Sequence, residues 1–267
     1  MRRIFWKGFF RVLILLLGVV VIIHGGIFFA LPRSYLEEKT KEKKVVTLNE
    51  LENKEKQELK KFFLHFTRKS NQESIENAYK KGRGVMAATM HMGNMEASTV
   101  SAGEHKIITV AKKQRNPYIN DYITKLRGKA NYMDVIEKNE RTSKILISKL
   151  KEKKIYALFS DHRDKGATVN FFGKETKAPS GAISMALKFD MPFVLVYNTF
   201  NEDNTITVYV TDEIELKRTD NFKEDVQNNV QYLINIMEDV IRKYPEQWMW
   251  FHDRWNNFRE YKKNLKK

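Results

Sequence analysis

From Gly82 onward, short apolar runs alternate with segments of helical periodicity, and this alternation restricts the chain to a sheet with helices packed against it rather than a helical bundle. The apolar runs predict strands at Val85 to Met90, Ile107 to Ala111, Met133 to Ile136, Ile155 to Ser160, Pro192 to Tyr197 and Thr205 to Val210. Helices are expected between them near Met95 to Ala102, Tyr118 to Leu126, Thr142 to Lys153 and Gly181 to Lys188, with a long one from Phe222 to Arg242. Upstream, Thr47-Leu-Asn-Glu50 has capping-box spacing ahead of a helix over Leu51 to Thr67. Ser70-Asn-Gln-Glu73 repeats the signal for a second helix running to about Tyr79, where Lys80 and Lys81 suit the negative end and Gly82 stops it.

The N-terminus sets a second constraint. Val12 to Leu31 is an apolar stretch interrupted by His24, Gly25 and Gly26, long enough to cross a hydrocarbon core of ~30 Å. A cleaved signal peptide is the rival reading, but no small-x-small cleavage site follows the apolar run, so a retained anchor is expected. Basic residues flank the stretch on both sides and give no vote on orientation. The His-Gly-Gly interruption also permits a helix that enters one leaflet without crossing.

Composition narrows the chemistry. Forty-eight Lys and Arg against 33 Asp and Glu leave a net charge of +15, which attracts phosphates, anionic headgroups, nucleic acid or an acidic protein. The absence of cysteine excludes a disulfide framework, thiolate metal sites and a Cys nucleophile. Gly82-Arg-Gly84 is not a phosphate loop, since the third glycine and the Lys-Ser/Thr pair are missing.

The chemistry-bearing motif is His91-Met-Gly-Asn-Met-Glu96. Chance alone supplies roughly 0.7 His-to-acid pair at this spacing in such a composition, so the spacing carries nothing without its context. That context is a strand delivering His91 to a strand-to-helix turn, with Gly93 for the bend, Asn94 as an N-cap and Glu96 in the first helical turn. A carboxylate there is favoured as the anion and can hold an imidazole in the tautomer whose other nitrogen is a free base. The result is a base-plus-orienter dyad suited to deprotonating a substrate hydroxyl, while the plainer reading is a capping acid beside a structural histidine.

Gly84-Val-Met-Ala-Ala-Thr-Met-His-Met-Gly-Asn-Met-Glu96 resembles the His-x4-acid block of the lysophospholipid acyltransferase superfamily, and its Gly-Asn and terminal Glu resemble the lauroyl/myristoyl acyltransferases of lipid A biosynthesis. Further blocks in the same order are Asn116-Pro117 with Leu126-Arg127-Gly128, and Ser160-Asp161-His162 with Phe171-Phe172-Gly173 and Pro179-Ser180-Gly181. The last is Tyr244-Pro-Glu-Gln-Trp-Met-Trp-Phe-His-Asp-Arg-Trp255.

The resemblance implies an α/β fold with a mixed central sheet flanked by helices, like the glycerolphosphate acyltransferases. It also implies acyl transfer from an acyl carrier protein thioester, or acyl coenzyme A, to a hydroxyl of a lipid A precursor or related glycolipid. His91 would take the hydroxyl proton, Glu96 would orient His91, and Arg127, Lys112 or Arg115 would stabilise the oxyanion. Asp161 would arrange those cations or the acceptor, and Arg254 would contact an acceptor phosphate. The family usually has Arg-Pro shortly before Asn-Pro, whereas this chain reads Ala111-Lys-Lys-Gln-Arg-Asn-Pro117, and a Lys cannot reproduce the guanidinium fork. Asp161-His162-Arg163-Asp164 is rich in potential ligands, but no second His or acid cluster at ligand spacing accompanies it, so neither a metal nor a cofactor is expected.

The expected organisation is an N-terminal membrane anchor at 1–36, a charged connector with helices at 37–81, the acyltransferase domain at 82–258 and a basic tail at 259–267. The implied location is the inner membrane of a bacterium, with the catalytic domain on the cytoplasmic side. An acyltransferase for another lysophospholipid or glycolipid is the near alternative. A basic nucleic-acid or membrane-surface binding protein is the distant one, and the apolar anchor argues against nucleic acid.

Overall fold

The computed structural model describes residues 67–102, 105–130 and 133–257. The expected anchor, the helix over Leu51 to Thr67 up to its last residue, and the basic tail lie outside the described residues. Among those described, no helix is long and apolar enough to cross a membrane.

Seven strands form one mixed sheet, flanked by helices. In chain order the strands are β1 (Thr67–Ser70), β2 (Val85–Thr89), β3 (Ile107–Ala111), β4 (Met133–Glu137), β5 (Ile155–Phe159), β8 (Phe193–Phe200) and β9 (Ile206–Val210), with β6 (Ala167–Phe171) and β7 (Lys174–Ala178) forming a separate hairpin. The order across the sheet is β1-β9-β8-β2-β5-β3-β4, and every pair is parallel except β8 with β9, which a short turn joins into an antiparallel hairpin. The helices are α1 (Gln72–Lys80), α2 (Pro117–Ala130), α3 (Thr142–Lys149), α4 (Gly181–Lys188) and α5 (Phe222–Lys243), with a 3-10 helix at Met95–Ala102.

The central strands read as unbroken apolar runs because both faces of the sheet are covered. Along β2, Met86, Ala88 and Met90 point into a core shared with α4, α5 and the hairpin. Val85 and Ala87 point into a second core with Ile75 and Ala78 of α1. Each Met or Ile fully removed from water here contributes ~1.5–3 kcal/mol before the entropy of ordering is charged against it.

The helix starting after Ser70 begins differently from the capping box expected: Asn71 precedes it in the left-handed region at φ 59, with no side-chain cap. Its side chain and the Ser74 hydroxyl instead donate to Asp212, each at 2.8 Å. Thr67–Ser70, expected as the end and aftermath of a helix, is an edge strand paired with β9.

The β6–β7 hairpin escaped the sequence reading because its strands are largely polar. Only Ala167, Val169 and Phe171 of β6 are buried, in strict alternation, and the turn places Phe172 and Gly173 at φ 50 and 75, as a tight hairpin turn requires. The outer edge of β6 is closed by α5. Gln227 and Gln231 accept from the backbone N–H groups of Thr168 and Asn170 at 3.2 and 2.8 Å, and Glu238 accepts from Phe172 at 2.7 Å. Four residues of helix rise ~6 Å and two of strand ~6.6 Å, so side chains one turn apart meet alternate amides of the edge.

Candidate active site

Strand register builds the centre of the site. β2 and β5 are adjacent and parallel, with Thr89 opposite Phe159, and the ladder continues through Ser160, whose N–H donates to the Thr89 carbonyl at 3.0 Å. One residue further, His91 and Asp161 leave the sheet side by side at the carboxyl ends of the strands, where open parallel sheets place their ligands. Asp161 is buried, and its Oδ1 lies 2.8 Å from His91 Nδ1. Asp161 Oδ2 accepts from the His91 backbone N–H and from Trp248 Nε1–H, both at 2.8 Å.

Burial pushes the Asp161 carboxyl up, but the His91 ring, the Trp248 indole and the His91 amide outweigh it, and the group lies below its ordinary value. An ionised carboxylate accepting from Nδ1–H fixes the tautomer in which Nε2 carries the lone pair. The ring is clamped by Phe159, stacked at 4.1 Å, and by His252, whose ring is 4.7 Å away.

Glu96 stands elsewhere. Its carboxylate accepts from Arg127 Nε at 3.0 Å and from Arg127 Nη2, joining the 3-10 helix to α2. The partner of the His91 imidazole is thus Asp161, not the acid five residues along. Two physical reasons contribute: a permanently charged guanidinium is a stronger partner for a carboxylate than an imidazole is, and the register has already filled Nδ1. Glu96 is more than a third exposed, so its ion pair with Arg127 adds little to stability.

The cations suggested by sequence fall into three situations. Arg127 and Lys112 line a cavity of about 120 Å³ with Lys113, Asn120 and Glu137, beyond the ends of β3 and β4. Arg115 is exposed and is not among the residues lining that cavity. Arg254 is fully buried, donating to the Lys177 carbonyl at 2.7 Å and stacking over the Phe171 ring at 4.7 Å, and burial pulls its pKa down to about 10. It clamps the hairpin from beneath. Its Nε and Nη2 have no hydrogen-bond partner among the described residues.

Gly93 makes the turn out of β2 possible. It sits at φ +53, and a Cβ there would lie 2.5 Å from Asn198 Oδ1 and 2.7 Å from the Asn198 carbonyl. Gly93→Ala is expected to cost ~1–3 kcal/mol in urea unfolding and to depress turnover with it, because Met92 pairs with Trp248 next door. An alanine variant with unchanged unfolding midpoint would show that the turn can relax.

Sequence reasoning missed Trp248 as a donor to Asp161, and missed the gathering of His162 and His252 around His91. Three of the chain's six histidines meet here. Burial lowers both His162 and His252 from 6.5, while nearby Asp161 pulls the other way and the His91 charge adds to the lowering. A histidine depressed in the folded state is protonated first in the unfolded chain, so stability present above pH 6.5 is lost as pH falls through the unfolded value toward the folded one. The thermal midpoint is therefore expected to drop between pH 7 and pH 5.5, and to drop less in His162→Gln. Equal slopes in the two proteins would rule His162 out as a source.

The donor atoms of His91, Asp161 and His162 lie within 4.8 Å of one another, the one group among the described residues that could hold a metal ion. A search of curated proteins found no match to the chain. The family model described as bacterial lipid A biosynthesis acyltransferase matches residues 44–257, most of the chain, with the His91 turn, Asp161 and the Trp248 segment inside the match. The chain belongs to the bacterial lipid A biosynthesis acyltransferase family.

Proposed function

We propose that this acyltransferase moves a fatty acyl group from an acyl carrier protein thioester to a hydroxyl of a lipid A precursor, with His91 as general base. The observation that carries the reading is the 2.8 Å contact between His91 Nδ1 and the buried Asp161 carboxylate, which leaves Nε2 as a base at a partly exposed edge. Nε2 takes the hydroxyl proton as the acceptor oxygen attacks the thioester carbonyl. The tetrahedral intermediate then collapses: the C–O ester bond is retained, the C–S bond breaks, and the thiolate recovers the proton from the imidazolium. Asp161 acts through His91 as a positioning residue and stabilises the imidazolium by charge.

In this reading Glu96 holds Arg127 toward the cavity, where Arg127 and Lys112 meet negative charge on the oxyanion or an acceptor phosphate. The net charge of +15 suits an acidic carrier protein and an anionic lipid surface. The enzyme is placed at the cytoplasmic face of the inner membrane, held by Val12 to Leu31, because its donor is cytoplasmic and its acceptor is a lipid.

The test is mass spectrometry of lipid A extracted from cells with and without the gene. Loss of one acyl chain, restored by the wild-type gene and not by His91→Ala, is the expected result. An unchanged lipid A profile together with altered phospholipids or glycolipids would move the acceptor to another class.

A further inference from the structure

We propose that the His91, Asp161 and His162 cluster is an inhibitory zinc site, in which the metal switches the acyltransferase off by taking the nitrogen that Asp161 otherwise holds. The donors come from two segments that the β2–β5 register brings together, and they lie within 4.8 Å of one another. Two imidazoles and a carboxylate are the ligand types zinc takes in open three-ligand sites, at ~2.0–2.2 Å. Tetrahedral donors on one zinc sit ~3.3–3.6 Å apart, so the widest-spaced pair must close by roughly 1.5 Å, a movement shared between two side chains.

His162 supplies the independent observation. Its Nδ1 is buried with no hydrogen-bond partner among the described residues, which is costly for a polar ring atom and is relieved by a ligand. Its Nε2 lies 3.7 Å from the Asp164 carboxylate, itself tied to Lys138. A histidine with one nitrogen turned toward a carboxylate and the other free is the arrangement of metal-bound imidazoles generally. Burial also favours neutral His162, the form that ligates.

The inhibitory consequence follows from proton bookkeeping and rests on the general-base role of His91. A neutral imidazole has one proton. When zinc takes Nδ1, that proton moves to Nε2, and the lone pair that would accept the hydroxyl proton is gone. The histidine that matters for catalysis is thereby held in its inactive tautomer without any change of fold.

The experiment titrates the purified, tag-free chain with cobalt, read by its visible ligand-field absorption, and in parallel measures acyl transfer against free zinc with and without chelator. Wild type should take up one cobalt per chain and lose activity to zinc reversibly. His162→Gln should bind cobalt at least tenfold more weakly and keep its zinc-free activity at zinc concentrations that silence the wild type. Asp164→Asn, at a part-buried position, should weaken uptake several-fold and serves if the glutamine variant misfolds. Absence of stoichiometric cobalt uptake by wild type, or equal zinc inhibition of wild type and both variants, overturns the proposal. A wild type that binds cobalt through His162 but transfers no acyl group would overturn the proposed function and leave the metal site standing.

Discussion

His91→Ala is expected to lower acyl transfer by ~100-fold to 10,000-fold with the fold intact, the loss that follows removal of a positioned general base. The fold should survive because the His91 side chain is only part-buried, with 17% of it exposed. Asp161 keeps two of its three donors in the variant, since the backbone N–H at position 91 and the Trp248 indole do not depend on the imidazole. Single-turnover transfer to a lipid acceptor, with circular dichroism and urea unfolding alongside, separates the two effects. A folded alanine variant working within tenfold of wild type would remove the mechanism proposed here.

The second large effect belongs to Asp161→Asn, and the hydrogen-bond pattern says why a nearly isosteric change should be so damaging. Both N–H donors on Oδ2 require an acceptor, so the amide must turn its oxygen to that side. Its NH2 group then faces His91 Nδ1 and donates to it. The imidazole is forced into the tautomer protonated on Nε2 and can no longer act as a base. A fall in kcat on the order of 1,000-fold to 10,000-fold is expected, with KM little changed. Asp161→Ala should be equally inactive but much less stable, since it strands buried donors. That contrast separates a tautomer effect from a packing defect. Glu96→Gln, assayed beside it, should lose less, because it weakens the hold on Arg127 and leaves the imidazole alone. Should the order be reversed, with Glu96→Gln the more damaging, Glu96 would be the orienting acid after all.

Six of the seven strands of the central sheet were legible as short apolar runs, and Ile107–Ala111 and Gly181–Lys188 fall where the sequence put them, whereas the polar edge strand Thr67–Ser70 was not. The hairpin was not, because its stability comes from α5 side chains capping an edge of polar residues, a pairing spread over about 60 residues of sequence. Likewise the motif around His91 suggested Glu96 as the partner of the imidazole, whereas in the structure Nδ1 meets Asp161 and Glu96 meets Arg127. Local spacing singled out Glu96; the actual neighbour was set by strand order and register, which no window of sequence contains. The potential ligands of Asp161-His162-Arg163-Asp164 were visible, but their missing companion was His91, seventy residues away.

The dependence of Asp161 on Trp248 also gives the enzyme a timetable. A ribosome releases His91 and the strand bearing Asp161 well before the tryptophan, which follows Asp161 by 87 residues. Until the segment after the long α5 helix has emerged and paired Met92 with Trp248, the buried carboxylate lacks its third donor and His91 lacks the neighbour that backs it. The complete support of His91 therefore forms only after the segment following α5 has emerged, so a polypeptide that stops short of Trp248 carries the His91 motif without it.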